Sequence, residues 1–295
     1  MGNCPGFVGN RLIYQYSTAA AETLLAGALP EEVDAALEAF GMRMGPFRMA
    51  DMVGLDLGVQ ALRKQGRFLP ESNIKHALID GGRLGQKSGG GYYDYADGRT
   101  PTPSATYRAV AATVRAAVGR GGVSPGFGSE ELQQRLFFPL INEGFKVRHA
   151  GEAPRGGGAT RGEAPRGRGA TRARRHRPLP HRYALPPPPR TATTTRPLPI
   201  APALPVTPPQ VLEEGHAQRP SDIDVCYVHG YGFPRHKGGP MHHADAIGLP
   251  LVAATLREVG IEPAALLQAC IAAKMPLAKY WPKHVAEKRR VPSKL

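Results

Sequence analysis

Apolar residues along much of the chain recur at helical spacing, in segments bounded by proline, glycine and acidic side chains rather than by alternating polar positions. Arg11-Leu12 opens one run that continues through Leu25 to a stop at Gly27, and Pro30-Glu31-Glu32-Val33-Asp34 starts a second helix. Further helices are expected from Ser104 to Val118, Leu249 to Val259 and Pro263 to Lys274. Leu132, Leu136, Leu140 and Ile141 form a stripe behind Glu130 and Glu131, with Ser129 as the expected N-cap. The glycine clusters at Gly81 to Gly85 and Gly89 to Gly91 are expected to be turns around the short aromatic stretch Tyr92-Tyr93-Asp94-Tyr95. The pattern predicts an all-α fold.

The elements also repeat in order. Arg11-Leu12, then Pro30 to Asp34, then Gly45-Pro46-x4-Asp51-x2-Gly54 is matched by Arg135-Leu136, Pro220 to Asp224, and Gly239-Pro240-x4-Asp245-x2-Gly248. Proline in a first turn and glycine at an exit are helix punctuation in both copies. Asp51 and Asp245 are expected to bond backbone donors of a neighbouring segment. Two tandem helical domains follow, at 1–118 and at 129–146 plus 211–287, joined by a glycine-rich linker at 119–128.

Composition explains the gap in the second copy. The net charge of +14 is concentrated between Val147 and Gln210, where 12 Arg, two Glu and 14 of the 30 Pro fall and a tandem GEAPR-type repeat spans Gly151 to Arg172. With so little apolar surface this block is expected to be a disordered insertion at 147–210. Without it, Lys146 would join Val211 and the helix would run on to Gly215. The remaining residues are an ordinary, mildly basic globular sequence.

Few chemistries are self-contained here. No GxGxxG occurs, so no dinucleotide cradle is expected on this chain. His229, His236, His242 and His243 beside Cys226 match no zinc spacing, and no metal site is expected. There is no nucleophile elbow. Cys4, Cys226 and Cys270 suggest a reducing compartment, and no segment approaches the roughly 18 apolar residues of a membrane span, so a soluble protein without membrane partners is expected. Asn10, by composition alone, reads as a helix N-cap. The last residues, Ser293-Lys294-Leu295, form the tripeptide address read by the peroxisomal import receptor. The preceding Lys288, Arg289, Arg290 and Pro292 are expected to keep the 288–295 tail extended.

The segments CPGFVGNRLIYQY, GPFRMADMVGLD, LGQKSGGGYYDY and RLFFPLINEGFKV, resuming as LEEGHAQRPSDIDVCYVHGYGFPRHKGGPMHHADAIG, resemble the C-terminal helical region of 3-hydroxyacyl-CoA dehydrogenases. Two copies and a terminal SKL are most similar to the peroxisomal multifunctional branch of that family. The resemblance implies two C-terminal-type domains packed as a pseudo-dimer, and NAD-dependent oxidation of L-3-hydroxyacyl-CoA in fatty-acid β-oxidation. It places an active-site asparagine of the PGFxxNR motif at Asn10, on the acyl-CoA side. It assigns NAD and the catalytic His and Glu to an upstream domain, so this chain alone is expected to hold no cofactor and to be inactive. The alternative is a non-catalytic interaction module whose basic insertion binds RNA; nucleic acid is otherwise not an expected partner.

Overall fold

A computed structural model describes residues 7–121, 126–146, 217 and 219–290. In the first copy the helices are α1 (Phe7–Leu25), α2 (Pro30–Phe40), α3 (Pro46–Val53), α4 (Val59–Lys64), α5 (Ile74–Asp80) and α6 (Ala105–Ala117). The strands β1 (Tyr93–Asp94) and β2 (Thr102–Pro103) pair antiparallel before α6, with Tyr93 opposite Pro103. The second copy has α7 (Ser129–Phe145), α8 (Pro220–Gly230), α9 (Pro240–Ile247), α10 (Leu249–Glu258), α11 (Ala265–Ala272) and α12 (Leu277–Arg290).

The two copies start and stop their helices by the same chemistry. The Leu29 amide donates to the Glu32 carboxylate at 2.9 Å and the Arg219 amide to that of Asp222 at 3.0 Å, each satisfying a donor beside a proline in the first turn. α3 and α9 both stop at a glycine of positive φ, 99° at Gly54 and 98° at Gly248, where a side chain would strain the backbone. The expected aspartate contacts are present. Asp51 accepts from the Tyr92 and Tyr93 amides at 2.9 and 3.0 Å, and Asp245 from those of Leu277 and Ala278 at 2.7 and 3.0 Å. A second pair does the same work at helix starts. Asp34 accepts from the Phe47 and Arg48 amides, both at 3.0 Å, and Asp224 from those of Met241 and His242 at 2.7 and 3.3 Å. Each carboxylate therefore meets the positive end of the next helix.

The copies share one core around α7. It packs on α1, α2, α9, α10 and α11, and every residue from Leu136 to Phe145 is buried. Arg11 lies against Glu143 and Tyr16 against Phe137, so α1 and α7 run antiparallel. Phe40 and Phe233 close on Phe137 from either copy, with ring centroids 4.5 and 5.5 Å away. Burying a large apolar side chain is worth about 1.5–3 kcal/mol, and Leu132, Leu136, Phe137, Phe138, Leu140, Ile141 and Phe145 are all buried. α7 is thus the largest single contributor to the joint core.

Four local expectations change. Ser129 is the first residue of α7 rather than its cap; Gly128 holds the cap position. Asn10 lies inside α1, which already runs from Phe7. α11 begins at Ala265 and ends at Ala272, short of the expected span. α12 continues through Lys288 and Arg289 to Arg290, where an extended tail was expected. The insertion at 147–210 and the address at Ser293, Lys294 and Leu295 lie outside the described residues.

Candidate functional site

The N-terminal turn of α1 carries Gly9, Asn10 and Arg11, and each is engaged by the second copy. Tyr227, on α8, donates its hydroxyl to the Gly9 carbonyl at 3.0 Å. Tyr231, just beyond α8, donates to Asn10 Oδ1 at 2.7 Å. The two rings stack, with centroids 4.8 Å apart and planes 16° from parallel. Gly9 makes this possible: a Cβ there would clash with the edge of the Tyr231 ring and its hydroxyl. Burial, then the nearby Cys226, holds the Tyr231 phenol above its ordinary pKa, so it is a proton donor at neutral pH.

Asn10 is itself exposed. With Oδ1 accepting from a hydroxyl, its Nδ2 protons have no partner among the described residues. The next residue is anchored differently. Arg11 is almost fully buried and pairs with Glu143 of α7 at 3.3 Å, while Lys146 reaches the other carboxylate oxygen at 2.9 Å. This buried pair fixes the height of the Asn10 turn against the central helix.

The repeat also singles out exposed apolar residues in the first copy. In the second copy a cavity of about 500 Å³ is lined by Phe137, Phe138, His243, Ile247, Leu251 and, from the first copy, Phe40. Aligning Arg11 on Arg135 and Asp51 on Asp245 makes the equivalents of Phe138, His243, Ile247 and Leu251 the residues Tyr14, Met49, Val53 and Leu57. All four are exposed, Leu57 by 75%. Gln134, equivalent to Asn10, also lines the cavity. Asn10 and these four residues thus hold the sequence positions whose equivalents wall a hollow in the other half, and all five are exposed.

Other candidates resolve as structure. His229, His236 and His242 are exposed, and His243 packs edge-on to Phe40 at 5.1 Å. Burial, then Lys237 and His242, lowers the His243 pKa to about 4, leaving it neutral. Among the described residues no group of three or more His, Cys, Asp or Glu could hold a metal ion, and no helix is long and apolar enough to cross a membrane. The glycine turns at Gly85 and Gly90 pair with each other and bring Gly91 against the Asp51 carboxylate. Asp34 and Asp224 escaped notice as caps. The signal was the proline four residues before each, in both copies.

Two tandem helical copies with Asn10 exposed near the start of α1 fit a known class. Residues 6–95 match the family model of the 3-hydroxyacyl-CoA dehydrogenase C-terminal domain. It is similar to the peroxisomal bifunctional enzyme of Danio rerio, 30% identical over 97% of this chain and 34% of that protein. The peroxisomal bifunctional enzyme of Homo sapiens is 31% identical over 88% of this chain and 29% of that protein. The solved dehydrogenase part of multifunctional enzyme 1 from C. elegans is 26% identical, covering 49% of this chain and 33% of that one with a TM-score of 0.40. The chain spans about a third of the length of the curated relatives it matches.

Proposed function

We propose that the chain forms the acyl-CoA-side wall of an NAD-dependent L-3-hydroxyacyl-CoA dehydrogenase of peroxisomal fatty-acid β-oxidation, converting 3-hydroxyacyl-CoA to 3-ketoacyl-CoA. The observation that carries the reading is Asn10, exposed on α1 with its amide donors open and its oxygen held by Tyr231. A thioester substrate offers carbonyl oxygens to such donors and an acyl chain to Tyr14, Met49, Val53 and Leu57.

NAD, and the general base that takes the hydroxyl proton, belong to a separate domain that these helices close against. The two helical halves, divided at 119–128, act as a fused pair in which the second braces the first. Ser293, Lys294 and Leu295 carry the protein to the import receptor. The names of the relatives support the peroxisomal setting.

Calorimetric titration of the purified chain with acetoacetyl-CoA tests the reading. The wild type should bind it, and Asn10→Ala should weaken binding. Equal affinity in the two proteins refutes a substrate-side Asn10. Reduction of NAD by this chain alone with 3-hydroxybutyryl-CoA refutes the division of labour.

A further inference from the structure

Resting on that reading of Asn10, we infer that Tyr231 is a positioning residue for substrate, contributed by the second copy to a site in the first. The carboxamide of an exposed asparagine is otherwise free to turn about its last torsion, presenting oxygen or nitrogen outward with little preference. The Tyr231 hydroxyl, a better donor than acceptor, biases that choice. It donates to Oδ1 at 2.7 Å, which leaves Nδ2 and its two protons turned away from that hydroxyl. A carbonyl acceptor then meets a donor that does not reorganise on binding.

Three further contacts hold the tyrosine. Its ring stacks on Tyr227, Tyr227 is tied to the Gly9 carbonyl, and the space a side chain at residue 9 would take is filled by the Tyr231 ring. Tyr227 is buried and cannot swing aside without opening the core. The hydroxyl that orients Asn10 is therefore as rigid as the packing of the two copies. It follows that the first copy alone carries the asparagine but not its orientation, and that the tandem arrangement is part of the site rather than only its support.

The probes are acetoacetyl-CoA and free CoA, titrated into the intact chain and into Asn10→Ala, Tyr231→Phe and the double variant. Tyr231→Phe keeps the stacked ring and removes only the donor, so thermal unfolding should shift little. It should weaken acetoacetyl-CoA about 3- to 10-fold, the scale of one hydrogen bond, and leave free CoA unchanged. In the Asn10→Ala background the same change should cost nothing further. Full affinity in Tyr231→Phe with loss in Asn10→Ala overturns the positioning role and leaves the substrate-side reading standing. Equal loss for both probes in Tyr231→Phe marks a structural disturbance and overturns it too. No loss in Asn10→Ala overturns both readings together.

Discussion

Asp34 and Asp224 occupy equivalent places in the two copies, each with its carboxylate accepting two backbone amides at the start of the following helix. Asp34 also accepts from the Tyr93 hydroxyl at 2.8 Å. Burial outweighs these bonds and raises both carboxyls to about 6 from the ordinary 3.8. Because the folded value lies above the unfolded one, the protonated form favours folding. The contribution is full below about pH 3.8 and is lost as pH rises through about 6. Asp34→Asn removes the titration. Its stability deficit against wild type should therefore shrink between pH 4 and pH 7, by up to about 3 kcal/mol at 1.36 kcal/mol per pKa unit. Urea midpoints across that range measure it; a constant or widening deficit contradicts the sign.

Glu143→Leu should cost stability, because it removes a carboxylate that both Arg11, only 4% exposed, and Lys146 reach. Breaking a buried pair costs up to about 3–5 kcal/mol, so denaturant unfolding should show a loss well above that of breaking a surface pair such as Arg135 with Glu131.

Gly9→Ala sets two effects against each other. Alanine is favoured over glycine in a helix by about 1 kcal/mol, but its methyl would meet the Tyr231 ring, and overpacking costs about 1–3 kcal/mol. The clash should win in the wild-type background. With Tyr231→Ala already present, the same substitution should become stabilising, and a sign that fails to reverse removes the close approach from the account.

Asp245→Ala should act locally. It strips the Leu277 and Ala278 amides of their acceptor at the start of α12, a loss of about 1–2 kcal/mol for a helix cap. Hydrogen exchange should rise in the first turn of α12 while amides in α7 keep their protection.

Much of this fold was legible because helix punctuation is local chemistry. The Pro30 and Pro220 starts and the Gly54 and Gly248 stops lie where the residues put them. What was not legible depends on distance or brevity. α4 and α5 have six and seven residues, too few for a period to show, and α12 contains Pro282 and is mostly polar. Asn10 could be singled out by resemblance, but its partner could not. Tyr231 reaches it only because α8 lands on the start of α1, which no spacing in the sequence encodes. The stripe on α7 foretold one buried face, whereas Leu136 to Phe145 are covered on all sides.

That enclosure sets a limit on how the gene can be divided. A product ending at the first linker would carry α1 with a bare groove where α7 packs, Tyr16 among its lining. The readiest plug for such a groove is a sister molecule laid head to tail, so a shortened product should turn up as self-associated particles or insoluble material, and fusing two copies end to end is one way a cell ensures the plug always arrives with the socket.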